Sequence, residues 1–281
     1  MVKALARFAR PMYFAYLGFI LAVLYFPFVI MAILSFQGPR GGHTFPLRGT
    51  STIWWWKLFH PGQLTEYSDV GEFLGNYLAA LQRSLVLAIV TMLISTTLAL
   101  MAAQAFRRGF RGSGPVFYTW LLGIVVPGIT VSLGLALIFR WTGVPLHWLT
   151  TGLAVHVIWT LPFSLVVFLM FFNRFDSSLE DAALTLGATR WQTFRHVTLP
   201  LIQPAVLTSF LFCFTLSLDE FQRSLLITGH EQTLPLMVMA SVTTRITPTL
   251  YALGTMTTLL SFAAVTAYLV LMTYSLRKRQ Q

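Results

Sequence analysis

The 281-residue sequence has one cysteine, nine acidic residues and a charged fraction of only 10%. The lone thiol, Cys213 inside an apolar run, rules out an intramolecular disulfide and leaves no cysteine-built metal cluster. An ordinary soluble domain has about a quarter of its residues charged. That shortage, beside a hydrophobic share of 56% and a mean hydropathy of +0.71, points to an integral membrane protein. There is no G-x-x-x-x-G-K-[S/T] phosphate loop, no H-E-x-x-H and no G-x-S-x-G. Nucleotide hydrolysis by this chain and two common hydrolase chemistries are therefore not expected. His147, His156 and His196 fall on separate segments, so no catalytic or metal-binding cluster of histidines is expected. The net charge of +10 comes from basic residues spread over many short segments, which does not make a nucleic-acid surface.

Six apolar stretches reach the roughly 20 residues that a bilayer crossing needs. They cover residues 13–36, 77–106, 115–139, 149–172, 201–221 and 248–276. The first is too long for a signal-peptide core and no small-x-small cleavage site closes it. Lys and Arg set the direction of crossing. With the N-terminus inside, one side holds Lys3, Arg7, Arg10, Arg107, Arg108, Arg111, Arg174, Arg190, Arg195, Arg277, Lys278 and Arg279. The other holds Arg40, Arg48, Lys57, Arg140, Arg223 and Arg245. This asymmetry places both termini in the cytoplasm. Arg83, near the outer end of the second span, is expected to snorkel to the headgroups.

The spans carry more than apolarity. Ala88, Ser95, Ala99, Ala102 and Ala103 give the second span a small-residue face for close helix packing. Pro127-Gly128 and Pro162 interrupt the third and fourth spans, as kinked helices beside a pathway do. The outer loop contains STIWWWKLF, residues 51–59, whose three tryptophans suit an interfacial helix.

The segment DAALTLGATRWQTFRHVTLP, residues 181–200, is polar and patterned between two apolar runs. Leu179, Ala182, Ala183 and Leu186 recur at helical spacing. Gly187 then allows a sharp turn. Trp191, Phe194 and Val197 form a second apolar face, with Arg190, Gln192 and Arg195 free for a partner. Leu199-Pro200 and Pro204 end this helix and start the next. The shape expected is a cytoplasmic helix–turn–helix hairpin suited to docking in a groove of another protein.

This segment resembles the EAA loop of permease subunits in bacterial ATP-binding-cassette importers. That motif reads E-A-A, three residues, G, nine residues, I-x-L-P. Here Asp181-Ala182-Ala183, three residues, Gly187, nine residues and Val197-Thr198-Leu199-Pro200 meet every spacing. Asp stands for Glu and Val for Ile, and Glu180 supplies a longer carboxylate one position earlier. The similarity runs over about residues 76–276, including RSLVLAIVTMLISTTLALMAAQAF. It implies an all-α integral membrane protein of six transmembrane helices with the type I importer permease fold. Residues 1–281 would form one transmembrane domain: first span and outer loop over 1–75, permease core over 76–276, and coupling segment over 173–200. The coupling helix would run from Gly187 to about Phe194, with Glu180, Asp181, Ala182, Ala183, Gly187, Ala188, Arg190, Phe194, Leu199 and Pro200 facing the ATPase.

The resemblance also implies the assembly. Its partners would be a cytoplasmic ATPase dimer, a second and different permease, and a periplasmic or extracellular solute-binding protein, in a bacterial inner membrane. ATP and Mg would sit on the ATPase subunit and no cofactor on this chain. The stretch LSLDEFQRSLLITGHEQTLPL, residues 216–236, resembles the second permease of spermidine/putrescine-type importers. Asp219, Glu220, Arg223 and Trp159 are the candidate pathway residues, because a carboxylate at a span end must face water or a partner. Successive helix residues lie about 100° apart, so at most one of Asp219 and Glu220 faces a pathway squarely. Glu220 can instead pair with Arg223 at i,i+3. Gln222-Arg223 stands where that family carries apolar residues, which opens the solute class to amino acid derivatives as well as polyamines. A secondary carrier working through Asp219 or Glu220 is the rival reading, and it leaves the EAA-like spacing unexplained.

Overall fold

The computed structural model describes residues 2–40, 44–60, 77–244 and 248–277. Arg245, Lys278, Arg279 and the outer loop over 61–75 lie outside the described residues, as do the side chains of Lys3, Arg7, Arg10 and Arg277. The described residues are helical apart from loops and one antiparallel bridge between Gln37 and Thr50. They divide into two compact units, Met1–Asn76 with Ser241–Leu260, and Tyr77–Ala240 with Ser261–Gln281. Four helices are long and apolar enough to cross a bilayer, or up to six if each of two bent pairs counts as one span.

In the first unit, α1 (Val2–Leu34) is followed by the short α2 (Ile53–Phe59). The three tryptophans of α2 do not share one environment. Trp54 is buried and donates from Nε1 to the Gln37 carbonyl at 2.6 Å. Trp55 donates to Ser35 Oγ at 3.1 Å and stacks on Phe36. Only Trp56 is exposed, stacked on His60. The expected interfacial role is thus confined to Trp56. The other two indole N–H groups pin α2 to the chain that leaves α1, where a buried polar group needs a partner.

In the second unit, α3 (Tyr77–Arg108), α6 (Thr151–Phe172) and α9 (Gln203–Leu218) pack on one another. Ala88, Ser95, Ala99 and Ala103 are all fully buried, so the small-residue face of α3 is its packing face. Small side chains let backbones approach where lipid supplies no hydrophobic drive between helices. Leu165, Phe168 and Ile202 fill the space opposite Ala99 and Ala103. Cross-helix hydroxyl bonds add to the packing. Ser95 pairs with Thr160 at 2.7 Å, Thr96 with Ser209 at 2.8 Å, and Ser164 with the same Ser209. Ala99→Leu is expected to destabilise the chain by about 1–3 kcal/mol, the usual cost of overpacking. Thermal unfolding in detergent measures this, and an unchanged midpoint would remove Ala99 from the packing face.

The two prolines behave differently. Pro127 ends α4 (Ser113–Val125) and starts α5 (Gly128–Trp141), and the two helices meet at 107°. At 13 and 14 residues, or roughly 20 Å each, neither covers a hydrocarbon core of about 30 Å. The third predicted span is therefore a broken pair and not a straight crossing. At the break, Val126 before the proline takes extended backbone at φ −66°, ψ 129°, the conformation that a following proline favours. Pro162, in contrast, stays inside an unbroken α6, which corrects the expectation that it interrupts the fourth span. Arg83, near the start of α3, is half-buried. Its Nε donates to the Gln232 carbonyl at 2.9 Å.

The remaining helices of this unit are α7 (Ser178–Thr185), α8 (Arg190–Leu201), and parts of α10 (Leu234–Thr244) and α11 (Pro248–Arg277). Tyr268 on α11 bonds Thr208 on α9 at 3.0 Å.

Candidate functional site

The hairpin begins with α7, whose side chains are all at least partly exposed. It turns at Gly187, which adopts φ +88°, a left-handed conformation that side chains resist. The turn is closed by Gly187 N–H to the Leu184 carbonyl at 3.0 Å and Ala188 N–H to the Ala183 carbonyl at 3.1 Å. Thr189 and Gln192 then form a capping box for α8, with bonds of 2.8 and 3.3 Å. Leu186 and Trp191 stand out at the tip with exposures of 89% and 66%, and Trp191 stacks on Phe194.

The second arm departs from expectation. Leu199-Pro200 does not end α8. A π-helical turn at Phe194–Thr198 precedes Pro200, and the helix runs on to Leu201. Proline lacks the N–H for the carbonyl four residues back and its ring crowds that carbonyl, so a widened turn carries the helix past it. The break falls at Ile202, where α8 meets α9 at 69°. Ile202 is buried in the core and Pro204 opens α9.

What holds the hairpin is a residue that the sequence reading did not single out. Arg107, at the end of α3, donates to Glu180 at 2.9 Å and 2.8 Å, one bond to each carboxylate oxygen. Thr198 on α8 donates to the same carboxylate at 2.5 Å. One carboxylate thus joins α3, α7 and α8. The Arg107 guanidinium also lies over Phe172 and Phe175, at 5.2 and 4.6 Å from the ring centres. Partial burial pushes the Glu180 carboxyl up, but bonds from Arg107 and Thr198 and the charges of Arg107 and Arg108 outweigh it and hold it below its ordinary value. Glu180 is therefore committed inside the chain. Asp181 is exposed beside it, in a groove of about 500 Å³ that Arg108, Arg190 and Trp191 also line. Ala182, Arg190 and Pro200 are exposed, whereas Ala183, Ala188, Phe194 and Leu199 are half-buried.

The candidate pathway residues gather at the other end of the core. Asp219 caps α9 and is exposed. Glu220 is buried, with one oxygen accepting the Arg223 backbone N–H at 2.8 Å and the other its guanidinium at 3.0 Å. The Arg223 guanidinium carbon lies over the Trp159 ring, 3.4 Å from its centre. Next to this group, His156 is fully committed, with its ring nitrogens 2.7 and 2.8 Å from Ser217 and Ser224. The segment after Arg223 is anchored by Thr151, which donates to the Ile227 carbonyl at 2.8 Å, and by Ser84, which accepts from Leu234 N–H at 2.8 Å. Arg107, Thr198 and His156 carried no spacing signal, because their partners lie 18 to 73 residues away.

Comparison with known proteins is consistent with this architecture. Residues 95–281 match the family described as "Binding-protein-dependent transport system inner membrane component". The chain is 31% identical over 252 residues to the spermidine/putrescine transport system permease protein PotC of Haemophilus influenzae, covering 89% of this chain and 92% of that one. It is 31% identical over 247 residues to the putrescine transport system permease protein PotI of Escherichia coli K12, covering 85% and 82%. In fold it matches a crystal structure of a bacterial ABC transporter involved in the import of the acidic polysaccharide alginate. That match has a TM-score of 0.60 at 16% identity and covers 97% of this chain and 96% of the other.

Proposed function

Since the chain belongs to the family of binding-protein-dependent transport system inner membrane components, we propose that it carries a polyamine or a related amine or amino acid derivative into the cytoplasm. It is a membrane permease subunit and not itself an enzyme. In this reading ATP is bound and split by a separate ATPase dimer, which grips the 178–201 hairpin from the cytoplasm. A second, different permease completes the pathway and a solute-binding protein delivers to its outer side. Closure of the ATPase around ATP moves the Gly187 tip, and the core helices rock to face outward.

The observation that carries the reading is the hairpin itself. Its tip exposes Leu186 and Trp191, while its base is fixed to α3 through Glu180 and Arg107. A rigid lever with an apolar end transmits a push, which a slack loop does not. Both termini lie in the cytoplasm in this arrangement, which the Lys and Arg distribution favours.

Gentle purification from the native membrane is expected to bring down a phosphate-loop ATPase and a second permease. Vesicles containing that complex, with the solute-binding protein supplied on the outer side, are expected to accumulate putrescine only when ATP is present on the ATPase side. Uptake by the chain alone, without ATP, would overturn the reading in favour of a secondary carrier.

A further inference from the structure

We propose that the Trp159 ring and the Glu220 carboxylate form a binding site for a primary ammonium group, and that Arg223 fills it as a tethered competitor. The proposal rests on the transport reading only in taking that ammonium to belong to the solute.

An aromatic face beside a desolvated carboxylate is a cation site, since the ring quadrupole and the negative charge favour the same occupant. Here the occupant is supplied by the chain. The Glu220 and Arg223 side chains are only 7% and 9% exposed, so each charge has lost most of its water. A buried charge of this kind requires a partner, because leaving one unpaired is costly. The guanidinium is seated by a third element. A methyl carbon added at Gly128, the first residue of α5, would come within 3.0 Å of Nη1 and 3.1 Å of Cγ and Cζ of Arg223. The space taken by the arginine is therefore cut to fit by the absence of a side chain there.

The carboxylate is also held independently of the guanidinium. Its first oxygen accepts the Arg223 backbone N–H and stays in place when the side chain swings away. That movement leaves one free oxygen opposite the Trp159 face, which suits a single ammonium group. His156 does not compete, because both its ring nitrogens are engaged by serines. Asp219, exposed next door in the chain, adds negative charge that attracts a cation without neutralising Glu220. A tethered ligand acts at an effective concentration of the order of millimolar, so Arg223 lowers the apparent affinity for any free amine.

The full-length chain in lipid nanodiscs, titrated with putrescine by calorimetry, reads this without an ATPase. ATP-driven uptake tests the importer reading separately, so the two failures are distinguishable. Arg223→Gln is expected to bind putrescine at least tenfold more tightly than the unaltered chain, with 1,4-butanediol binding to neither. Adding Trp159→Leu or Glu220→Gln to that variant is expected to erase the gain. Gly128→Ala crowds the guanidinium without removing a charge and is expected to shift affinity the same way by a smaller factor. It serves as the test if Arg223→Gln fails to fold. No gain in a folded Arg223→Gln, or a gain that survives both added substitutions, overturns the proposal. With Arg223→Gln unfolded, unchanged affinity in Gly128→Ala does the same.

Discussion

Gly187→Val is expected to cut ATP-driven uptake by the reconstituted complex at least tenfold, while the chain still inserts and folds. The argument concerns backbone and not space, because a β-carbon at Gly187 would meet nothing within 4 Å. At φ +88° an L side chain costs about 1–2 kcal/mol, and a β-branched one resists this region most. The turn relieves that cost by re-forming, which breaks the two bonds that close it and re-aims Leu186 and Trp191. Asparagine tolerates the left-handed region, so Gly187→Asn is expected to retain most uptake. Valine and asparagine variants of equal activity would separate the turn from coupling. Basal ATP hydrolysis measured alongside distinguishes a disengaged hairpin from a lost complex.

Arg107→Ala is expected to have the second largest effect. It removes both bonds to Glu180 and leaves a partly buried carboxylate with Thr198 as its remaining partner. Breaking a fully buried pair costs roughly 3–5 kcal/mol, and the side-chain exposures of 19% and 22% here bring the expected loss to about 1–3 kcal/mol. Uptake is expected to fall further than stability, at least fivefold, because the lever loses its attachment to α3. A thermal midpoint and an uptake rate measured on the same preparation check both. If uptake is normal in a destabilised protein, the ion pair is structural only. The Glu180 carboxyl is held below its ordinary value of 4.5, so the folded state binds its proton more weakly than the unfolded chain. Its contribution is thus complete above the ordinary value and is lost as pH falls through the depressed one. The Arg107→Ala variant is expected to lose that part of the acid dependence.

Most of the helices were legible because each carries its own signal within about 20 residues. The face of α3 could be read from alanine spacing, and the turn at Gly187 from a glycine between two periodic stretches. Failures occurred where the outcome depends on contacts remote in sequence. Pro127 and Pro162 look alike locally, yet one breaks its helix and the other does not. Gly128 follows Pro127 and makes room for Arg223, 95 residues away, which no local pattern records. Pro200 was read as a helix end, whereas a π turn carries α8 past it to Leu201 and the break falls at Ile202. Trp54 was given to the lipid interface on residue type alone. The Gln37 backbone carbonyl claims it instead. Glu180 was placed in the right segment as a contact for the ATPase, and the fold engages it inward.

The hydroxyl pairs between α3, α6 and α9 also bear on motion. A salt bridge or an interlocked leucine holds two helices at one setting. A hydroxyl both donates and accepts, and it can turn back to its own helix carbonyl four residues earlier. Thr160 already does so, bonding the His156 carbonyl at 2.9 Å while it pairs with Ser95. Ser209, shared by Thr96 and Ser164, can keep one neighbour while releasing the other. Helices joined in this way can slip past one another in small steps without stranding a polar group in hydrocarbon. The centre of the bundle is thus a lubricated joint.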